Sequence, residues 1–369
     1  MERLHLFAKI ILLLVFVPGF KSFGQDPSLT NFHINKNHLN PAYAGYSGDF
    51  SLNMNNRMQW VKLSSFRQFN TYTLAANVGC EDQKVGLAAY AYDNVEGEGF
   101  LRTTMAGVQM ARYWPFNYLR NGSHRKTNSS IIAAGAQVGV GQKRLDWEKL
   151  TFSDQLSTQT YQMVRNSSAV NPKNQMAELQ WDLAGGVRMM SEWGDKASYS
   201  FGFAAFHILS NQESFFSANN DVQLPWRYTA HFLVNRNLGK RARKNKWVGS
   251  IGGIYNRQAN LNSFTVMSYA SYANITKFSL GYRGTSNGLP DAIILQGSLR
   301  GEDLWDKNDW LLTLSYEFTS INSVGQHRTY GTFEIGVAIV LDNSALCGNS
   351  EISCYYPSKD MKKHSIWDY

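Results

Sequence analysis

Gln25–Leu63, QDPSLTNFHINKNHLNPAYAGYSGDFSLNMNNRMQWVKL, is where the character of the chain changes. Asn40-Pro41 starts a turn, because proline fixes its own φ and biases the residue before it away from helix; Gly45 and Gly48 add loose joints after it. From Phe50 the pattern alternates. Phe50, Leu52 and Met54 fall on one face, while Ser51, Asn53, Asn55 and Arg57 fall on the other, and Trp60 closes the run. That period of two describes a strand with one apolar and one wet side.

The same alternation continues outward along the chain. Tyr72, Leu74, Ala76 and Val78 oppose Thr71, Thr73 and Asn77; Trp181, Leu183 and Val187 oppose Gln180, Asp182 and Arg188. Tyr199, Phe201 and Phe203 oppose Ser198, Ser200 and Gly202, and Phe333, Ile335, Val337, Ile339 and Leu341 oppose Glu334, Gly336 and Ala338. Leu101–Tyr113 is apolar on both faces in places, so its inward side stays unassigned. Gln142–Ala177 and Leu209–Pro225 lack a sustained period and read as long loops. Counting the alternating segments gives about 14 strands, and with aromatic residues at 14% the pattern predicts an all-β fold, an antiparallel transmembrane β-barrel of the outer-membrane type. An even count puts both chain ends on one side. With those ends periplasmic, the two long loops point outward, and the basic knots Arg120–Lys126 and Lys240–Lys246 point to the periplasm.

Met1–Gly24 has basic residues followed by a short apolar run and reads as a cleaved secretory signal. The run falls short of the roughly 20 residues a membrane helix needs, and no later stretch comes near that length. The expected plan is therefore a signal peptide at 1–24, an N-terminal periplasmic or lumenal segment at 25–47, the barrel at 48–342 and a C-terminal periplasmic tail at 343–369. The three cysteines are too few for a disulfide framework; Cys347 and Cys354 either close a small loop or stand as two unpaired residues in a tail. A net charge of +8 on an exported chain argues against nucleic acid and leaves an anionic headgroup, peptidoglycan or an acidic partner as candidates.

Chemical motifs are sparse. No metal-ligand cluster, phosphate-binding glycine loop or nucleophile elbow appears, no cofactor is implied, and His231 reads as a polar lumen residue by parity with Arg227 and Thr229. The inward set is more informative. Arg57, Asp182, Arg188, Arg227, Arg283, Arg300, Glu317 and Glu334 mix both signs at positions where a basic residue facing lipid at mid-depth would cost about 2 to 4 kcal/mol. They are expected to face water, each other, or an inserted segment, for which Asp26–Gly45 is the candidate.

Leu39-Asn40-Pro41-Ala42-Tyr43-Ala44-Gly45 followed by Arg57-x-Gln59-Trp60 resembles the PorP/SprF family of the type IX secretion and gliding machinery. Ala111-Arg112-Tyr113, Leu145-Asp146-Trp147, Gly281-Tyr282-Arg283 and Gly331–Ile335 extend the resemblance over nearly the whole mature chain. Over Ser28–Lys36 the chain carries only Leu29, Phe32 and Ile34 where the family has a more aromatic run. The resemblance implies a non-enzymatic outer-membrane component of the secretion or gliding apparatus. Its implied partners, besides outer-membrane lipids, are a periplasmic peptidoglycan-binding lipoprotein, the secretion machinery and the C-terminal domain of a secreted adhesin. Partner contacts are expected at Asn40, Pro41 and Tyr43 and around Arg241, Arg243 and Lys244. The competing reading is a passive porin or a transporter of hydrophobic substrates.

Overall fold

The computed structural model describes residues 26–47, 50–60, 69–80, 84–97, 99–117, 129–150, 152–155, 176–193, 197–209, 224–238, 247–273, 275–285, 290–301, 308–319 and 331–341. The expected signal peptide, Arg241, Arg243, Lys244, Cys347 and Cys354 lie outside them. The strands are β1 (Phe50–Gln59), β2 (Phe69–Cys80), β3 (Val85–Glu96), β4 (Leu101–Asn117), β5 (Ser129–Arg144), β6 (Gln180–Trp193) and β7 (Ala197–Phe206). The second half holds β8 (Arg227–Asn237), β9 (Trp247–Gln258), β10 (Leu261–Tyr272), β11 (Thr276–Thr285), β12 (Pro290–Gly301), β13 (Asn308–Thr319) and β14 (Thr332–Leu341). Each pairs antiparallel with its neighbour in sequence, and β1 pairs with β14, from Phe50 opposite Leu341 to Gln59 opposite Thr332. The fourteen strands thus form a closed barrel, which leaves no sheet edge among them open to another chain.

Alternation along the strands sorts side chains between lipid and lumen. Tyr72, Val108, Trp181, Phe201 and Phe278 stand exposed on the outer face, while Ser51, Asn53, Asn55, Thr71 and Asn77 are buried on the inner one. Along β4, left unassigned from sequence, Val108, Met110 and Trp114 face out and Met105, Gln109, Ala111 and Tyr113 face in.

Phe50 and Leu341 define one opening, the terminal mouth. Strand direction puts the ends that flank 118–128 and 239–246 at this mouth, and the ends that flank 145–179 and 207–226 at the opposite, far mouth. The first long loop starts later than its composition suggests, because β5 continues through Arg144. The residues after it pack on the β3–β4 turn: the Asp146 N–H donates to the Gly99 carbonyl at 2.9 Å, and the Lys149 ammonium lies 3.9 Å from the centre of the Phe100 ring.

Residues 26–47 run through the lumen. They hold a single helical turn, α1 (Lys36–Leu39), and a 3-10 turn at Pro41–Tyr43. Phe32, Leu39, Tyr43 and Tyr46 pack against Leu233, Ile254, Met267, Tyr269 and Ile294 from the wall, and Ile34 packs against Leu311 and Ala338. The barrel is therefore filled on one side by an apolar core that includes its own N-terminal segment.

Candidate functional site

The segment is seated at three places. Nearest the terminal mouth, Asn40–Gly45 lies on a track of wall glycines contributed by β7, β6, β5 and β3. A Cβ on Gly186 would strike the Asn40 side chain, one on Gly202 would strike the His231 ring that lies against Asn40, one on Gly135 would come within 2.5 Å of the Pro41 and Ala42 backbone, and one on Gly86 would strike the Ala44 carbonyl. Glycine is required here for close approach of two backbones. Asn40 explains the Asn-Pro sequence: its Oδ1 accepts from the Ala42 N–H at 2.9 Å, capping the turn, while its Nδ2 donates to the carbonyls of Val187 at 3.0 Å and Phe203 at 3.3 Å. Proline at the first turn position lacks only a donor that would have had no partner within the turn. Tyr43 has no exposed surface; its ring centre lies 5.5 Å from that of His231 and 4.2 Å from the Arg188 guanidinium carbon.

The second seat is ionic. Arg57 lies 2.7 Å from Glu317 and 3.1 Å from Glu334, and Arg283 lies 3.0 Å from Glu317, all four being buried. Two cations against two carboxylates offset the desolvation of each, provided the remaining lone pairs are satisfied. The segment satisfies them. The backbone N–H groups of Thr30 and Asn31 each donate to Glu334 at 2.9 Å, and the Thr30 hydroxyl bonds to Glu317 while accepting from Arg57 at 3.0 Å and Arg283 at 2.9 Å. Because Arg57 belongs to β1 and its partners to β13 and β14, this cluster also ties the two ends of the sheet together.

The third seat is at the far mouth. Asp26 places its carboxylate 2.8 Å from His207 and 2.9 Å from Arg227, its backbone N–H donates to Gln258 at 2.8 Å, and the other His207 nitrogen lies 2.8 Å from Asp182. Burial alone would push the His207 imidazole down, but the flanking Asp26 and Asp182 carboxylates hold it up to about 9. Burial likewise opposes the Asp26 charge, yet His207 and Arg227 keep that carboxyl well below the usual carboxylate range. His38, whose carbonyl accepts from Arg227 at 3.2 Å, is pushed down to about 3 by burial and by that arginine.

The charged residues singled out by parity therefore fall into separate groups. Arg57, Arg283, Glu317 and Glu334 form one cluster, Asp182 and Arg227 belong to another, Arg188 stands over Tyr43, and Arg300 pairs with Asp309. Asn40, Pro41 and Tyr43 are buried and offer no surface to a partner in this conformation, so their direct contribution is to seat the segment. Asp26, Thr30, His38, His207 and the glycine track escaped the sequence reading. So did the apolar lumen wall, although Phe232-Leu233-Val234, Ile293-Ile294-Leu295 and Leu311-Leu312 signal it: where both parities are apolar, the inward one must pack. Among the described residues no group of three or more His, Cys, Asp or Glu side chains is placed to hold a metal. The chemistry of the site is that of retention, since its carboxylates are all paired, although Arg57 Nε, Arg227 Nε and His33 Nδ1 are buried without a hydrogen-bond partner among the described residues.

A family model described as "Type IX secretion system membrane protein PorP/SprF" matches residues 21–339. Similar solved structures include the Ralstonia pickettii toluene transporter TbuX, at 10% identity over 88% of this chain and 96% of that one, with a TM-score of 0.43. The Acinetobacter baumannii outer membrane protein Omp33 is similar at 7% identity over 80% and 100%, with a TM-score of 0.39. The KdgM porin is similar at 9% identity over 79% and 99%, with a TM-score of 0.35. No curated protein matches the chain.

Proposed function

We propose that this chain, which belongs to the PorP/SprF family of type IX secretion system membrane proteins, is a non-enzymatic docking component of that machinery and not a conduit. The observation that carries this reading is the filled lumen: a segment of the same chain occupies it between the two mouths, seated by buried ionic and backbone contacts. A solute channel needs a lumen whose polar groups face water, whereas here Glu317, Glu334, Asn77, Gln109 and Arg227 face the segment.

Under this reading the terminal mouth is periplasmic and presents the basic residues Arg241, Arg243 and Lys244 to partner proteins. Those partners are a peptidoglycan-binding lipoprotein and other periplasmic parts of the secretion or gliding apparatus, together with the C-terminal domain of an exported adhesin. The Asn40-Pro41-Ala42-Tyr43 turn holds the wall of β6, β7 and β8 through Val187, Phe203 and His231.

Affinity capture from solubilised outer membrane tests the assignment. Charge reversal of Arg241, Arg243 and Lys244 together is expected to remove the periplasmic components from the captured material while the barrel keeps its heat-modifiable migration. Unchanged recovery, with a steady open conductance in planar bilayers, would instead support a porin.

A further inference from the structure

We propose that the rim of the terminal mouth is a binding site for the phosphate headgroups of anionic phospholipids, held by Arg112 and Arg236. The inference depends on the barrel alone and not on the docking role.

Both arginines occupy lipid-facing positions. Arg112 shares the outer face of β4 with Val108, Met110 and Trp114, which are 62%, 53% and 41% exposed, and Arg236 shares the outer face of β8 with Tyr228 and Val234. Register sets their height. Arg112 stands opposite Val85, the first residue of β3, and Arg236 opposite Ala197, the first residue of β7, so each lies level with the start of a strand at the same mouth. On the lipid face a basic residue is strongly disfavoured at mid-depth and nearly neutral at the interface, which places these two side chains among headgroups.

Neither arginine has an ion-pair partner among the described residues, and both are exposed. Across the strands Arg112 stands between Val85 and Ala134, and Arg236 between Ala197 and Gly249, with the Leu238 side chain lying over that glycine. Trp114 stands two residues from Arg112, and the Trp247 and Tyr272 rings, with centres 4.9 Å apart, stand beside the end of β8. Interfacial aromatic residues around an unpaired arginine fork are the surroundings a phosphodiester requires. Exposed Lys84 adds a cation at the same mouth, and in sequence β4 and β8 lead into the two basic knots. The far rim also carries outward arginines, but in acidic company: Arg102 is paired with Asp93 at 2.7 Å, and Asp146, Glu148 and Glu178 accompany the exposed Arg144 and Arg257 there.

The test is to count, by native mass spectrometry, the lipids retained by the full barrel equilibrated with mixed micelles of phosphatidylglycerol and phosphatidylcholine. The wild type is expected to favour phosphatidylglycerol, with the preference falling roughly fivefold for each of Arg112→Gln and Arg236→Gln. The Arg112→Lys/Arg236→Lys variant should retain most of the preference, and Arg102→Gln should leave it intact. Heat-modifiable migration of each variant confirms that it is folded. Equal retention of the two lipids by the wild type, or an unchanged preference in the double Gln variant, would overturn the proposal. So would displacement of the lipid by inorganic phosphate, which would reduce the rim to a simple anion site, or by polyglutamate, which would assign it to an acidic protein.

Discussion

Glu334 has no exposed surface and accepts from the Thr30 and Asn31 N–H groups, the Asn55 amide at 2.9 Å and Arg57. Replacing it by alanine leaves those donors and part of the Arg57 charge buried without a partner, so Glu334→Ala is expected to lower stability by about 3 to 5 kcal/mol. The midpoint of denaturant unfolding in detergent reads this directly, and Glu334→Gln should recover part of the loss. Gly135→Val tests the glycine track separately. A branched side chain would meet the Pro41 and Ala42 backbone, and overpacking of this kind costs about 1 to 3 kcal/mol. The unfolding temperature of the unheated form should drop, with no comparable effect from Gly297→Ala, where a Cβ meets nothing within 4 Å. The far-mouth seat has a pH dependence. His207, raised from 6.5 to about 9, contributes stability that is complete below its ordinary value and lost as pH rises through 9; depressed Asp26 contributes above 3.8 and loses its effect as pH falls. Hydrogen exchange over residues 26–35, corrected for intrinsic base catalysis, should therefore step up above pH 9, and Asp26→Asn should remove the step.

For an individual strand, facing is decided one residue at a time. Val337 faces lipid and Ala338 faces Ile34 and Leu311 in the lumen, so Val337→Arg should destabilise the barrel by about 2 to 4 kcal/mol and lower its membrane abundance, while Ala338→Ser is tolerated. Quantitative blotting of membrane fractions checks both. That much was legible in the sequence, because each strand contacts two different solvents and its composition records them with a period of two. Asp26–Gly45 was the candidate for an inserted segment, but its contacts were not legible, for the opposite reason. Its partners lie far away in sequence, 181 residues for Asp26 with His207 and 304 for Thr30 with Glu334, and no local period encodes such contacts. Asn40-Pro41 announced a turn but not the wall beneath it. The inward Gly135 and Gly186 leave the space into which the segment fits, and Gly202 leaves it for the His231 ring with Asn40 behind it.

Taken whole, the molecule is a closed wall around its own first residues. With the lumen occupied, no steady conductance is expected from the intact protein in planar bilayers. Removal of residues 31–44 takes Asn31 from Glu334, Asn37 from Asn77 and Phe32, Leu39 and Tyr43 from the apolar wall, and should open a measurable channel if the barrel still assembles. The path of the segment has a further consequence for topology. It joins β1 at the terminal mouth and reaches Gln258 at the far one, so the molecule is a thread through a ring. Where the ring admits the free end after closing, whatever precedes Asp26 has to pass the lumen. A short epitope placed before Asp26 should surface at the far mouth of intact cells, whereas a folded domain in the same place should jam the threading and leave the ring empty.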